Sequence, residues 1–295
     1  MKKIYSLILL VVLSCSSDNN TNENDNCIND QVPLSSNINL TKISVYGPDQ
    51  NTLFREYVVD NNNRLIESQG GAVSLYNNCR FVYNYNSCNQ LTDVRCQNDD
   101  LLRSKLNYDS NGRLIEYRQG YQGGFTLNFE YTGTNTVIIK EYRGYNSTDD
   151  THTTLNSTRE WMFDSNDNMI TSIYPNIEYD YEYSNDNLIA STNNDFVINY
   201  SSNKNPFYLV LTNTYGRKNN FLINYGFDTI VYDNPTILLE ELGLANSIIS
   251  EWSPDSSTSN PIYNTEIVET SNGYATRYRE ITNGQVTSLV VVEYQ

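Results

Sequence analysis

The segment Leu106-Asn107-Tyr108-Asp109-Ser110-Asn111-Gly112-Arg113-Leu114-Ile115 has relatives on both sides of it, and this internal repetition limits the fold more than any other feature of the chain. The clearest relative is Tyr57-Val58-Val59-Asp60-Asn61-Asn62-Asn63-Arg64-Leu65-Ile66. Weaker copies run from Tyr85-Asn86 to Leu91, Tyr131-Thr132 to Val137, Phe163-Asp164 to Met169, Tyr183-Ser184 to Leu188 and Tyr200-Ser201 to Pro206. The unit reads as an aromatic-ended strand, a short polar turn begun by Asp or Asn, and a strand opening with an aliphatic pair. Three residues after the turn-opening residue stand Asn63, Asn89, Gly112, Asn135, Asp167 and Asn187, with Lys204 the exception. Gly, Asn and Asp tolerate positive φ, which tight hairpin turns require. The repeat-turn residues are therefore Asp60, Asn63, Asp109, Gly112, Asp164 and Asp167, and the expected fold is all-β, an antiparallel sheet of degenerate hairpins.

Around the turns aromatic and polar residues alternate, as in Phe81-Val82-Tyr83-Asn84-Tyr85 and Tyr179-Asp180-Tyr181-Glu182-Tyr183, the period of a half-buried strand. The 25 tyrosines could form a stacking platform for sugars, but their placement at the repeat period favours core and cross-strand packing. Asn283-Gly284 between Tyr274–Ile281 and Val286–Glu293 predicts a type I′ hairpin at the end of the chain. One short helix is expected over 235–242, where Asn234 precedes Pro235 and Gly243 follows, and it would plug an end or face of the sheet.

The stretch Tyr108-Asp109-Ser110-Asn111-Gly112-Arg113-Leu114 resembles the YD-repeat unit of the RHS family, and its copies cover residues 55 to 207. Beyond them, Asn203-Lys204-Asn205-Pro206-Phe207, Lys218-Asn219-Asn220 and Asn272-Gly273-Tyr274 resemble the carboxy-terminal half of uncharacterised Bacteroidota lipoproteins. In the large RHS proteins such repeats form a shell around a toxin. This chain is too short for that role, and the smaller lipoproteins have no established activity to carry over.

The amino terminus points to export. Lys2 and Lys3 precede the ten-residue apolar run Ile4 to Leu13, which breaks at Ser14-Cys15. That is a signal peptide over 1–14, and it is short of the roughly 20 residues that span a bilayer. Cys15 after small Ser14 resembles a lipobox, which makes Cys15 the lipidation site; Val12 stands where the family favours leucine. Residues 15–35 read as a polar tether without the apolar content to order itself, followed by a single β domain over 36–295. The early acidic residues, Asp18, Glu23 and Asp25, resemble the signal that takes Bacteroidota lipoproteins to the outer face of the outer membrane.

Export would place Cys27, Cys79, Cys88 and Cys96 in an oxidising compartment, where two disulfides are expected. Cys79 and Cys96 flank one hairpin, yet a Tyr85/Leu91 register puts them on opposite faces, so the connectivity stays open. Without a Cys-x-x-Cys pair, and with His152 as the sole histidine, neither metal nor cofactor is expected.

A net charge of −16 and a pI near 4.4 exclude a nucleic-acid surface, which needs clustered Lys and Arg. His152 lies in a threonine-rich stretch that reads as a solvated outer loop, and no triad, serine elbow or P-loop is present. Asp164-Ser165-Asn166-Asp167-Asn168 imitates the start of an EF-hand loop, but Met169 and Pro175 stand where that loop needs glycine and glutamate. Three functions remain: a non-catalytic surface module for a glycan or protein ligand, a structural envelope scaffold, or a polysaccharide hydrolase with two carboxylates about 5 to 10 Å apart.

Overall fold

The computed structural model describes residues 34, 36–70, 79–97, 102–120, 124–146, 151–175, 177–192, 196–224, 243–253 and 261–295. Cys15, Cys27, the rest of the tether apart from Leu34, and the helix expected over 235–242 lie outside the described residues. The protein is all-β, one large antiparallel sheet of 18 strands with two short helices.

Strand β1 (Leu40–Tyr46) leads into six hairpins. They are β2 and β3 (Leu53–Val59, Leu65–Gly70), β4 and β5 (Arg80–Tyr85, Leu91–Cys96), and β6 and β7 (Leu102–Tyr108, Leu114–Gln119). Then follow β8 and β9 (Phe125–Tyr131, Thr136–Asn146), β10 and β11 (Thr151–Phe163, Met169–Tyr174), and β12 and β13 (Ile177–Ser184, Asn187–Ser191). After β14 (Val197–Lys204) come helices α1 (Pro206–Tyr215) and α2 (Arg217–Ile223). The chain ends in β15 (Ser247–Ser253), β16 (Tyr263–Ser271), β17 (Tyr274–Thr282) and β18 (Gln285–Tyr294).

Each hairpin pairs with the next, and β18 returns to pair antiparallel with β1. The sheet comes round on itself until β13 and β14 lie side by side, where Tyr200 Oη donates to Leu188 O at 2.9 Å. The helices fill the space it encloses. Every residue of α1 from Pro206 to Thr214 is buried, a pattern that fits an element surrounded on all sides. Phe207, Leu209 and Val210 pack with β1, β17 and β18, while Phe221 of α2 packs with Trp161, Phe163 and Leu188.

The repeat motif now has a physical account. In four hairpins the turn-opening side chain accepts two backbone N–H bonds: Asp60 Oδ1 from Asn62 and Arg64, Asn86 Oδ1 from Cys88 and Gln90, Asp109 Oδ1 from Asn111 and Arg113, and Asp164 Oδ1 from Asn166 and Asn168. The residue three further on is left-handed, with φ of 56° at Asn63, 63° at Asn89, 77° at Gly112 and 62° at Asp167. The strand restarts on a buried residue, Leu65, Leu91, Leu114 or Met169, and the next isoleucine, as at Ile66 and Ile115, faces out.

The tyrosine before the turn reaches back one repeat. Tyr85 Oη donates to Leu65 O at 2.7 Å, Tyr108 to Leu91 O at 2.9 Å and Tyr131 to Leu114 O at 3.0 Å. Arg64 and Arg113 ion-pair with Asp60 and Asp109 of their own turns, and stack over Tyr85 and Tyr131 of later repeats, each 4.5 Å from the ring centre. Tyrosine at this period is thus a staple between repeats as well as core filling.

Asp109→Ala is expected to cost about 2 kcal/mol in urea unfolding, because two backbone donors and Arg113 lose their acceptor. Asp109→Asn keeps the acceptor that Asn86 supplies in its own turn and should cost less than half as much. Equal losses would show that the ion pair, and not the turn, carries the effect. Desolvation raises the Asp109 pKa, but the bonds from Arg113 and the backbone outweigh it and hold the carboxyl below 3.8. A depressed folded pKa means that this support is present above pH 4 and is lost as pH falls further.

Four expectations need correction. The Tyr200-Ser201 copy is not a hairpin: Asn205 Oδ1 accepts from Phe207 N and caps α1, with Pro206 in its first turn. Asn135 and Asn187 are not among the positive-φ residues, and in the latter hairpin Asn185 and Asp186 make the turn, at φ 51° and 61°. The Tyr85/Leu91 register is as expected, but a bulge after Asn84 shifts it to Phe81/Cys96, and Cys79 and Cys96 are joined, with Cα atoms 5.4 Å apart. Cys88 is also disulfide-bonded. His152 is not in a loop. It lies in β10, 7% exposed, with Nδ1 at 3.0 Å from Thr126 Oγ1 and its ring against Tyr145. Two short helices, α1 and α2, stand among the described residues, at positions other than the expected 235–242. The terminal hairpin forms as predicted, with φ of 50° at Asn283 and 75° at Gly284.

Candidate functional site

The hairpin turns line up at one end of the sheet, and residues of α1 and α2 face them across a cleft. Its larger part, about 560 Å³, lies between Gly112, Arg113, Asn166, Asp167 and Asp186 on the turns and Tyr208, Thr212, Arg217 and Lys218 on the helices. Its smaller part, about 320 Å³, lies between Asn61, Asn62, Asn63, Arg64 and Asn89 on the turns and Thr212 and Asn213 on α1. Leu34 and Thr212 line both parts.

Most ionisable side chains here are already engaged. Lys218 Nζ is 2.8 Å from Asp167 Oδ1, and Tyr208 Oη donates to Asp186 Oδ2 at 2.9 Å. Burial pushes the Tyr208 phenol well above its usual value, so it stays a donor. Arg217 is 7% exposed and sits between the Tyr208 and Phe221 rings, 4.9 and 4.7 Å from their centres. No carboxylate among the described residues pairs with it directly. Its Nη2 donates to Asn168 Oδ1 at 2.8 Å and to Asp186 O at 3.2 Å, and Nη1 to Gly243 O at 3.5 Å. Asn168 in turn donates to Asp164 Oδ2 and Asp186 Oδ1, so one amide relays the charge of Arg217 to two carboxylates.

This network completes the fourth turn. Asn168 stands where Arg64 and Arg113 stand in theirs, and Arg217, arriving from α2, supplies the missing guanidinium. The helix pair is thereby locked to the turn row, with further bonds from Leu65 N to Thr214 Oγ1 and from Asn213 Nδ2 to Asn62 O.

Of the residues singled out in the sequence, Asn63, Gly112 and Asp167 line the cleft, while Asp60, Asp109 and Asp164 turn their carboxylates inward to their own turns. Cys79, Cys96 and His152 lie at the opposite end of their hairpins, away from the cleft. Sequence reading missed Arg217, Asn168, Asp186 and Tyr208. The available signal was Arg217-Lys218, two adjacent cations in a strongly acidic chain.

No protein-family model matches the chain, and no curated protein matches it. Among solved structures, a porin-like protein from Bacteroides uniformis is similar at 12% identity, with 83% of this chain and 70% of that chain covered. Its TM-score of 0.18 carries no argument about fold or function.

Proposed function

We propose that the protein is an envelope lipoprotein, anchored in the outer membrane through Cys15, whose turn-end cleft recognises a surface ligand without transforming it. The observation that carries this reading is the cleft itself: a sizeable polar hollow whose carboxylates, Asp167 and Asp186, are committed to Lys218 and Tyr208. A glycosidase keeps one carboxyl free to protonate its leaving group and another to attack or activate water. Anchoring through lipid, rather than through the sheet, is supported by the ion pairs on its outer face: Lys42 with Glu56 and Glu293, Lys140 with Glu130 and Arg279 with Glu266. A strand face turned to hydrocarbon is apolar.

Incubating the full chain with envelope polysaccharides tests the recognition, with retention and released reducing ends both measured. Saturable retention without release is expected. Release abolished by Asp186→Asn would establish the hydrolase instead, and neither retention nor release would leave a scaffold. For the anchor, Cys15→Ser should abolish incorporation of labelled fatty acid and free the protein from membranes; unchanged membrane association would overturn it.

A further inference from the structure

The lining of the cleft identifies the ligand class. Resting on the recognition reading above, we infer that the two parts of the cleft are subsites for one linear, uncharged oligosaccharide that crosses from one to the other over Thr212.

Three features support this. First, side-chain amides make up most of the lining of the smaller part, Asn61, Asn62 and Asn89 among them, and Asn166 and Asn246 line the larger part beside its charged residues. An amide offers a donor and an acceptor together, which is what a sugar hydroxyl demands, whereas a phosphate or carboxylate only accepts. Second, the cations are unavailable to an anion. Arg64, Arg113 and Lys218 each pair with an aspartate at 2.7 to 2.8 Å, Arg217 is turned to carbonyl oxygens, and the chain as a whole carries −16.

Third, the subsites repeat. Arg64 beside Asn63 and Arg113 beside Gly112 hold the same position in two copies of one motif, and each lines one part of the cleft. Surfaces that recur along a row match a ligand whose units recur. At the junction stands Thr212, which lines both parts.

The test is the full chain in detergent on an array of neutral, uronic-acid, sulfated and sialylated glycans and unfolded peptides, followed by a length ladder of the best binder. Binding should be confined to neutral glycans and should tighten with length beyond a single unit. Asn61→Ala with Asn62→Ala on one side, and Asn166→Ala on the other, alter exposed side chains and should each weaken the longest ligand on the order of tenfold, the loss of about 1.4 kcal/mol. Binding to charged glycans or to peptide that is still lost in Asn166→Ala would keep the recognition module and overturn the ligand class. Affinity already full at a single sugar unit, or indifferent to Asn61 and Asn62, would overturn the crossing. Silence over the whole array counts against the ligand class, and against recognition itself if polysaccharide retention is also absent.

Discussion

Above pH 10 the protein is expected to unfold abruptly. Burial raises the phenol pKa of Tyr83, Tyr85, Tyr117, Tyr183, Tyr208, Tyr215 and Tyr274. A raised folded pKa gives stability that is whole below the unfolded value of 10 and is lost as pH climbs from there toward the folded values. Each such tyrosine removes roughly 1.4 kcal/mol per pH unit over that window. Acting together, they would exhaust the 5 to 15 kcal/mol typical of a folded domain within about two pH units. Ultraviolet phenolate absorbance and far-ultraviolet circular dichroism, followed through one titration, measure this. The expected result is a gradual rise from exposed tyrosines near pH 10, then a step in phenolate signal that coincides with loss of strand signal. A single smooth titration with the sheet intact would show that these hydroxyls are open to solvent.

The second large effect is expected at Arg217. Arg217→Leu keeps apolar bulk between Tyr208 and Phe221 but leaves Asn168 Oδ1 and Asp186 O without their donor. Asp164 and Asp186 then lose the charge that Asn168 relays to them. A loss of about 3 kcal/mol in urea unfolding is expected, the cost of breaking a buried charged network from one side. Hydrogen exchange should rise in the 164–168 and 185–187 turns together with α2, since one side chain ties all three. A loss under about 1 kcal/mol, or exchange confined to α2, would show that the helix pair is held by apolar packing alone.

How much could be read in advance follows the range of each interaction. The hairpins at Asp60, Asp109 and Asp164 were legible because a side-chain oxygen, two backbone donors and a left-handed residue act within five positions. The α1 helix was misread because Tyr200-Ser201 keeps the opening of the motif, although Asn205-Pro206 already spelled a capped helix start. The Cys79–Cys96 pairing depended on a bulge after Asn84, a one-residue shift that alternation cannot show. His152 was assigned to solvent by its polar neighbours, but β10 extends further than apolar alternation suggests and carries it against Thr126 and Tyr145. The cleft was illegible for a different reason: Arg217 and Asn168 are 49 residues apart, and only closure of the sheet brings them together.

Closure also limits how this chain can vary. The perimeter of a ring of strands grows roughly in proportion to their number, and the interior widens with it. Because β18 meets β1 and the enclosed space is filled by α1 and α2, each inserted or deleted hairpin changes the perimeter while the filling stays the same. An extra hairpin leaves a void beside Phe207 and Phe221; one fewer crushes them. Hairpins can drift in loop length and sequence, as these have, but their number is gauged by the two helices they surround.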